Sequence, residues 1–357
     1  LLYCDFPSLA GKEDCMLDYA SALAKEIDNI KNKKIKTIFI GGGTPTYLSL
    51  TSWKIIKKSI DKLDKCDDLE FTVEGNPGTF TKEKLKFLKE LGVNRLSIGL
   101  QAWQDSLLKQ LGRIHTIEDF KQSFEMARKL GFDNINIDLM FGLPSQTINQ
   151  WRETLQNVTM LNPEHLSCYN LIVEEGTEFY KKFEKGTLNL PDEEMDRSMY
   201  AETIEFLSKK GYAQYEISNF SKNNKKCRHN LVYWELDEYI GCGSSSHSYS
   251  DGYRYRNEGN IEKYIEIMNH SNSAIVERTK NSFNDNMEEF MFMGLRKTEG
   301  INKDEFKKRF DKDMNEVYRE VINKYTNTGF MVETPNSIFL TFDGIEVSNV
   351  IMADFLL

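Results

Sequence analysis

Short apolar, β-branched runs alternate with longer amphipathic stretches over the first two thirds of the chain. IKTIFIG (35–41), LEFTVE (69–74), RLSIGLQ (95–101), INIDLMFG (135–142) and HLSCYNLIV (165–173) read as strands, with AQYEISNF (213–220) as a sixth. Between them, near 13–31, 51–64, 81–91, 117–130, 147–160 and 192–210, apolar residues recur at three and four, as in Phe120, Phe124, Ala127 and Leu130. Repeated strand–helix units of this length predict a parallel sheet, open or curved toward a barrel. In such sheets the loops beyond the carboxyl ends of the strands bind ligands. Those loops carry GGGTPT, Glu74 with an NPG turn, Gln101, and Asp138 followed by GLP, which together form a polar rim at one mouth.

The pattern changes after about 285. NMEEFMFMGLRKTEG, INKDEFKKRF and MNEVYREVINKY read as three helices, GFMVET-PNS-IFLTFDG as a small hairpin, and VSNVIMADFLL as a last helix. This order suggests a winged-helix-like module. Its helices mix Asp and Glu with every Lys and Arg, which favours a lid or packing role over binding DNA. The expected division is a barrel over 1–220, a linker region over 221–284 and the helical module over 285–357.

Charge supports that choice. With 46 basic and 55 acidic residues among 357, the formal charge is −9, and nucleic-acid affinity, which rests on displacing counterions, is not expected. No apolar run approaches the roughly 20 residues needed to span a bilayer. The six cysteines show no CxxC spacing and suit a reduced, cytoplasmic protein.

Cys4 in LYCDF gains meaning only beside GGGTPTYLS (41–49), EGNPGT (74–79), RLSIGLQAW (95–103), LGRIHT (111–116) and INIDLMFGLP (135–144). In this order they resemble the radical SAM proteins of the oxygen-independent coproporphyrinogen III oxidase family, essentially from end to end. The resemblance implies an α/β fold, a partial parallel (β/α)6 barrel with the C-terminal helical module. It also implies a 4Fe–4S cluster held by three thiolates and a bound S-adenosylmethionine (SAM). Cys4 aligns with the last cluster ligand and Tyr3 with the aromatic before it. The middle ligand falls at Leu1 and the first lies upstream, as does the first barrel strand. The expectation is therefore that the natural N-terminus extends further and that this chain alone holds no stable cluster. Gly42, Gly43 and Thr44 match the segment that meets the methionine end of SAM, and Glu74 the acidic residue near its ammonium. Gln101, Arg113 and Asp138 match positions that in the oxidase contact a second SAM.

Two features point to the heme-chaperone branch of this family. Phe6 stands where oxidases carry a further cysteine, and HNLVYW (229–234) matches the branch's HNxxYW signature. Imidazole is a good axial ligand for heme iron, which makes His229 the candidate heme contact. His247 is a weaker one, while His115, His165 and His270 are expected to be structural or surface residues. The implied function is to bind heme and pass it to apo-hemoproteins such as respiratory oxidases, including membrane-bound ones. The alternative is oxidative decarboxylation of coproporphyrinogen III through a 5′-deoxyadenosyl radical.

Overall fold

The computed structural model describes residues 2–4, 11 and 13–357. The readings placed on Leu1 and Phe6 lie outside the described residues.

Five strands, β1 (Ile35–Ile40), β2 (Lys65–Gly75), β3 (Arg95–Gln101), β4 (Ile135–Phe141) and β5 (His165–Asn170), run parallel in sequence order. The connecting helices have the apolar spacing read from the sequence, and most begin at a Ser, Thr or Asp whose side chain accepts a first-turn amide. Thr116 and Thr147 form full capping boxes with Asp119 and Gln150. Their inner faces bury Trp53, Phe120 and Trp151 against Phe71, Val73, Leu96, Ile98, Ile137, Leu139 and Leu166 of the strands.

Side chains alternate across a strand, so the opposite face of each of these points into the barrel. There the residues are polar: Glu70, Thr72 and Glu74 on β2, Arg95 and Ser97 on β3, Asn136 and Asp138 on β4, His165 and Ser167 on β5. An outward apolar face and an inward polar one leave room for polar chemistry inside the barrel.

The expected sixth strand is in fact two. β6 (Ala213–Gln214) and β7 (Asn219–Ser221) form a tight antiparallel hairpin, with β7 pairing antiparallel to β5 at the sheet edge. The alternation of AQYEISNF fits either arrangement. The hairpin turns because Glu216, 1% exposed, accepts from the Asn219 side chain.

The stretch 221–284 is more than a connector. It holds the helix Arg228–Trp234, the helix Ile261–His270 and an antiparallel sheet of β8 (His247–Ser250), β9 (Tyr253–Asn257) and β10 (Ile275–Lys280). Beyond it, helices Phe283–Gly294, Lys303–Phe310 and Met314–Asn327 surround a second core built on Phe290, Phe306, Phe310 and Tyr318. The hairpin read from the sequence is β12 (Met331–Glu333) with β13 (Ser337–Leu340), and β11 (Ile301–Asn302) adds a third strand to it. Among the described residues no helix is long and apolar enough to cross a membrane.

Candidate functional site

The polar rim forms at the strand ends where the sequence placed it. Gly42, at φ +89°, turns the chain after β1 so that its amide donates to Glu74 Oε2 at 3.2 Å. A Cβ at Gly41 would collide with that carboxylate and with the Phe39 ring, while one at Gly42 or Gly43 would meet nothing within 4 Å. The glycines thus press the backbone against Glu74 on one side and leave it bare on the other.

Burial pushes the Glu74 carboxyl up to about 7. The negative charge of Asp138 adds to the rise, against the Gly42 amide and Arg95. Asp138 is likewise raised by burial, although Asn136 Nδ2 at 2.8 Å and Ser97 Oγ at 3.0 Å donate to it. Two neighbouring carboxylates with incomplete compensation make a site that favours a cation.

A second group gathers around Asn76, in the NPG turn after β2. Asn76 Nδ2 donates to Thr44 Oγ1 at 2.8 Å, and its Oδ1 accepts from Arg113 Nη1 at 2.6 Å. The other guanidinium nitrogen, Nη2, donates to Tyr3 Oη at 2.5 Å. Gln101 joins them from a left-handed backbone, φ +73°, at a shift in the β3–β4 register. A Cβ at Gly99 would stand 3.0 Å from both Asn76 Oδ1 and Gln101 Nε2. Tyr3, Thr44, Gln101 and Arg113 therefore meet through Asn76 and Gly99. This fork also anchors the segment bearing Cys4, together with the bond from the Leu2 amide to the Leu111 carbonyl at 3.2 Å.

His229 enters the barrel from the other side. Its helix, Arg228–Trp234, starts against Glu70 of β2, whose carboxylate accepts the Arg228 amide at 2.9 Å and the His229 amide at 3.0 Å. Neither the helix nor this buried cap was foreseen, since seven residues are too few to show a helical period. The imidazole stacks on Phe39, centroids 5.1 Å apart. Nδ1 bonds to Thr37 Oγ1 and Nε2 to Tyr233 Oη, each at 2.8 Å. Burial and Arg95 hold its pKa down to about 4, so the ring is neutral. The HNxxYW helix thus packs on the β1 wall one residue pair below the glycine turn.

His115 and His165 are buried, as expected of structural residues, while His247 is exposed on β8 and His270 is exposed at a helix end.

Models of two families match the chain, the Radical SAM superfamily over residues 2–158 and the HemN C-terminal domain over 282–347. The heme chaperone HemW of Bacillus subtilis (strain 168) is 38% identical over 360 residues, spanning 99% of this chain and 95% of that protein. The chain belongs to the HemW family. A second HemW, from Lactococcus lactis subsp. lactis (strain IL1403), is 35% identical over 99% of this chain and 93% of its own. The chain shares its fold with the Escherichia coli radical SAM enzyme coproporphyrinogen III oxidase (HemN). That structure superposes with a TM-score of 0.85 at 21% identity, over 98% of this chain and 85% of the oxidase.

Membership of the radical SAM superfamily implies SAM and a 4Fe–4S cluster. The residues fit SAM: the bare backbone at Gly42 and Gly43 leaves room for it, and the paired carboxylates suit its charge. The described N-terminal residues 2–4 carry one cysteine, Cys4. Among the described residues no group of three His, Cys, Asp or Glu could hold a metal ion, so they do not by themselves hold a cluster.

Proposed function

We propose that this protein is a heme chaperone, which binds heme and transfers it in the cytoplasm to apo-hemoproteins such as respiratory oxidases. The observation that carries this reading is the placement of the HNLVYW helix, whose histidine lies inside the barrel wall, stacked on Phe39. In this role His229 is the iron ligand. Its neutral imidazole is ready to coordinate once Nε2 exchanges the Tyr233 hydroxyl for iron. Full-length relatives named as heme chaperones, at 38% and 35% identity, support it.

In the same proposal Glu74 meets the SAM ammonium, Gly42, Gly43 and Thr44 its methionine end, and Gln101, Arg113 and Asp138 line the adjoining polar pocket. Tyr3 and Cys4 belong to the cluster loop. SAM supplies a cationic ligand for binding or gating. Of the described residues, those up to 220 make the barrel part, 221–284 carry the heme motif and 285–357 pack beside them.

The test is a pair of assays on heme-loaded protein: transfer of heme to an apo-hemoprotein, and decarboxylation of coproporphyrinogen III with SAM and a reductant. Heme transfer without decarboxylated product supports the proposal. Decarboxylation at enzymatic rates without transfer would instead make the protein an oxidase.

A further inference from the structure

A line of hydrogen bonds crosses the barrel interior from Asp138 to the helix that carries His229. Asn136 Nδ2 donates to Asp138 Oδ1 and to Ser97 Oγ, both at 2.8 Å. The amide oxygen of Asn136 therefore faces His165 Nδ1 at 2.6 Å and Ser167 Oγ at 3.1 Å. An oxygen at that place fixes the tautomer of His165: Nδ1 carries the proton, and Nε2 accepts from Tyr215 Oη at 2.8 Å. Tyr215 Oη in turn accepts the amide of Cys227 at 3.1 Å, and Cys227 is the residue from which the helix Arg228–Trp234 begins.

Asn136, His165, Tyr215 and Cys227 are each 3% exposed or less. Away from water, hydrogen bonds in series polarise one another, and leaving any member unpaired is costly. The line is directional throughout, with every donor pointing toward Asp138, so a displaced or recharged Asp138 is coupled along it to the start of the helix. Arg95, 2% exposed, lies within electrostatic reach of both ends, sensing Asp138, Tyr215, Cys227 and Glu70. A barrel wall alone needs none of these polar groups at such depth, where apolar side chains would pack as well.

The geometry points to His165 and Tyr215 as positioning residues that tie the carboxylate of Asp138 to the placement of the His229 helix. A ligand that draws on Asp138 thereby changes how His229 is held. This rests on the proposed reading in which Asp138 faces SAM, and it assigns that ligand the role of an effector of heme binding.

The experiment uses the reconstituted full-length protein with SAM as the probe and two readouts. One is the emission of Trp234, taken as the difference from a Trp234→Phe background. The other is the heme Kd with and without SAM. In the wild type, SAM is expected to change Trp234 emission and to shift the heme Kd about fivefold. In Tyr215→Phe, which keeps the ring and loses the hydroxyl, SAM binds with its affinity within about twofold, but both responses vanish. His165→Gln behaves the same, and the double variant adds nothing further, as members of one pathway should.

Wild-type response to SAM in Tyr215→Phe overturns the inference. So does SAM that binds the wild type without moving Trp234. If SAM moves Trp234 while the protein binds no heme, the chaperone reading fails and the tie between Asp138 and the helix stands. If heme binds and SAM leaves Trp234 unmoved, the tie fails and the chaperone reading stands.

Discussion

The imidazole of His229 lies nearly parallel to the ring of Phe39, with 20° between their planes. Phe39 lies in β1 and Gly41 immediately follows that strand, and Phe39 is the ring that a side chain at Gly41 would strike. The HNLVYW helix and the glycine turn thus meet around Phe39 near the end of β1, although 188 positions separate Gly41 from His229 in sequence.

Gly41→Ala is expected to spare the fold and damage the site. The added methyl meets the end of the Glu74 side chain, which can swing away, and the Phe39 ring, which has less freedom. A stability loss of about 1–2 kcal/mol follows from such overpacking. SAM affinity should fall by more, because Glu74 leaves its place beside Gly42. Chemical unfolding and equilibrium dialysis measure the two effects separately.

Glu74 gives the site a pH dependence of defined sign. Its carboxyl is raised from the ordinary value of 4.5 to about 7, so the folded protein binds more protons than the unfolded chain between those values. Stability contributed by this group is present below about pH 4.5 and is lost as pH rises through 7. Glu74→Gln should remove that component of the unfolding curve. In the proposed reading, where ionised Glu74 meets the SAM ammonium, affinity for the cationic SAM should rise across the same range, and Glu74→Gln should flatten that profile as well.

Tyr233→Phe should strengthen heme binding. The Tyr233 hydroxyl occupies His229 Nε2 at 2.8 Å and must be displaced before iron can take that position. A hydrogen bond of this kind is worth about 1 kcal/mol, so removing it should tighten heme binding about fivefold. A Soret titration of the variant against wild type reads this directly, and weaker binding would instead make the hydroxyl part of the heme contact.

The parallel strands and their rim were legible because each strand ends in a distinct polar signature, from GGGTPT to Asp138 with GLP. The strand ends placed Glu74, Gln101 and Asp138 at one rim, whereas Arg113 was singled out by the family resemblance alone. The role of Asn76 was less visible. It sits in an NPG turn, where Asn is common for local reasons, and only the fold brings Arg113 onto it at 2.6 Å. Glu70 was hidden in LEFTVE for a related reason: a carboxylate inside a barrel strand acquires a purpose only when the amides of Arg228 and His229 reach it. The sheet of β8 to β10 lies in a stretch whose polar composition suggests a linker, although the alternation in YRYRN is the mark of a strand with two different faces. The hairpin of β6 and β7 escaped because alternation looks the same before and after a tight turn.

The most direct test of the chaperone account is an anaerobic heme titration of the full-length protein, wild type against His229→Ala, followed at the Soret band. The account predicts saturable binding of heme by the wild type, with affinity lowered about tenfold or more in His229→Ala. It also predicts that binding by the wild type does not weaken between pH 8 and pH 5, since the imidazole stays neutral until about pH 4. Absence of saturable binding, or equal affinity in the two proteins, would contradict it.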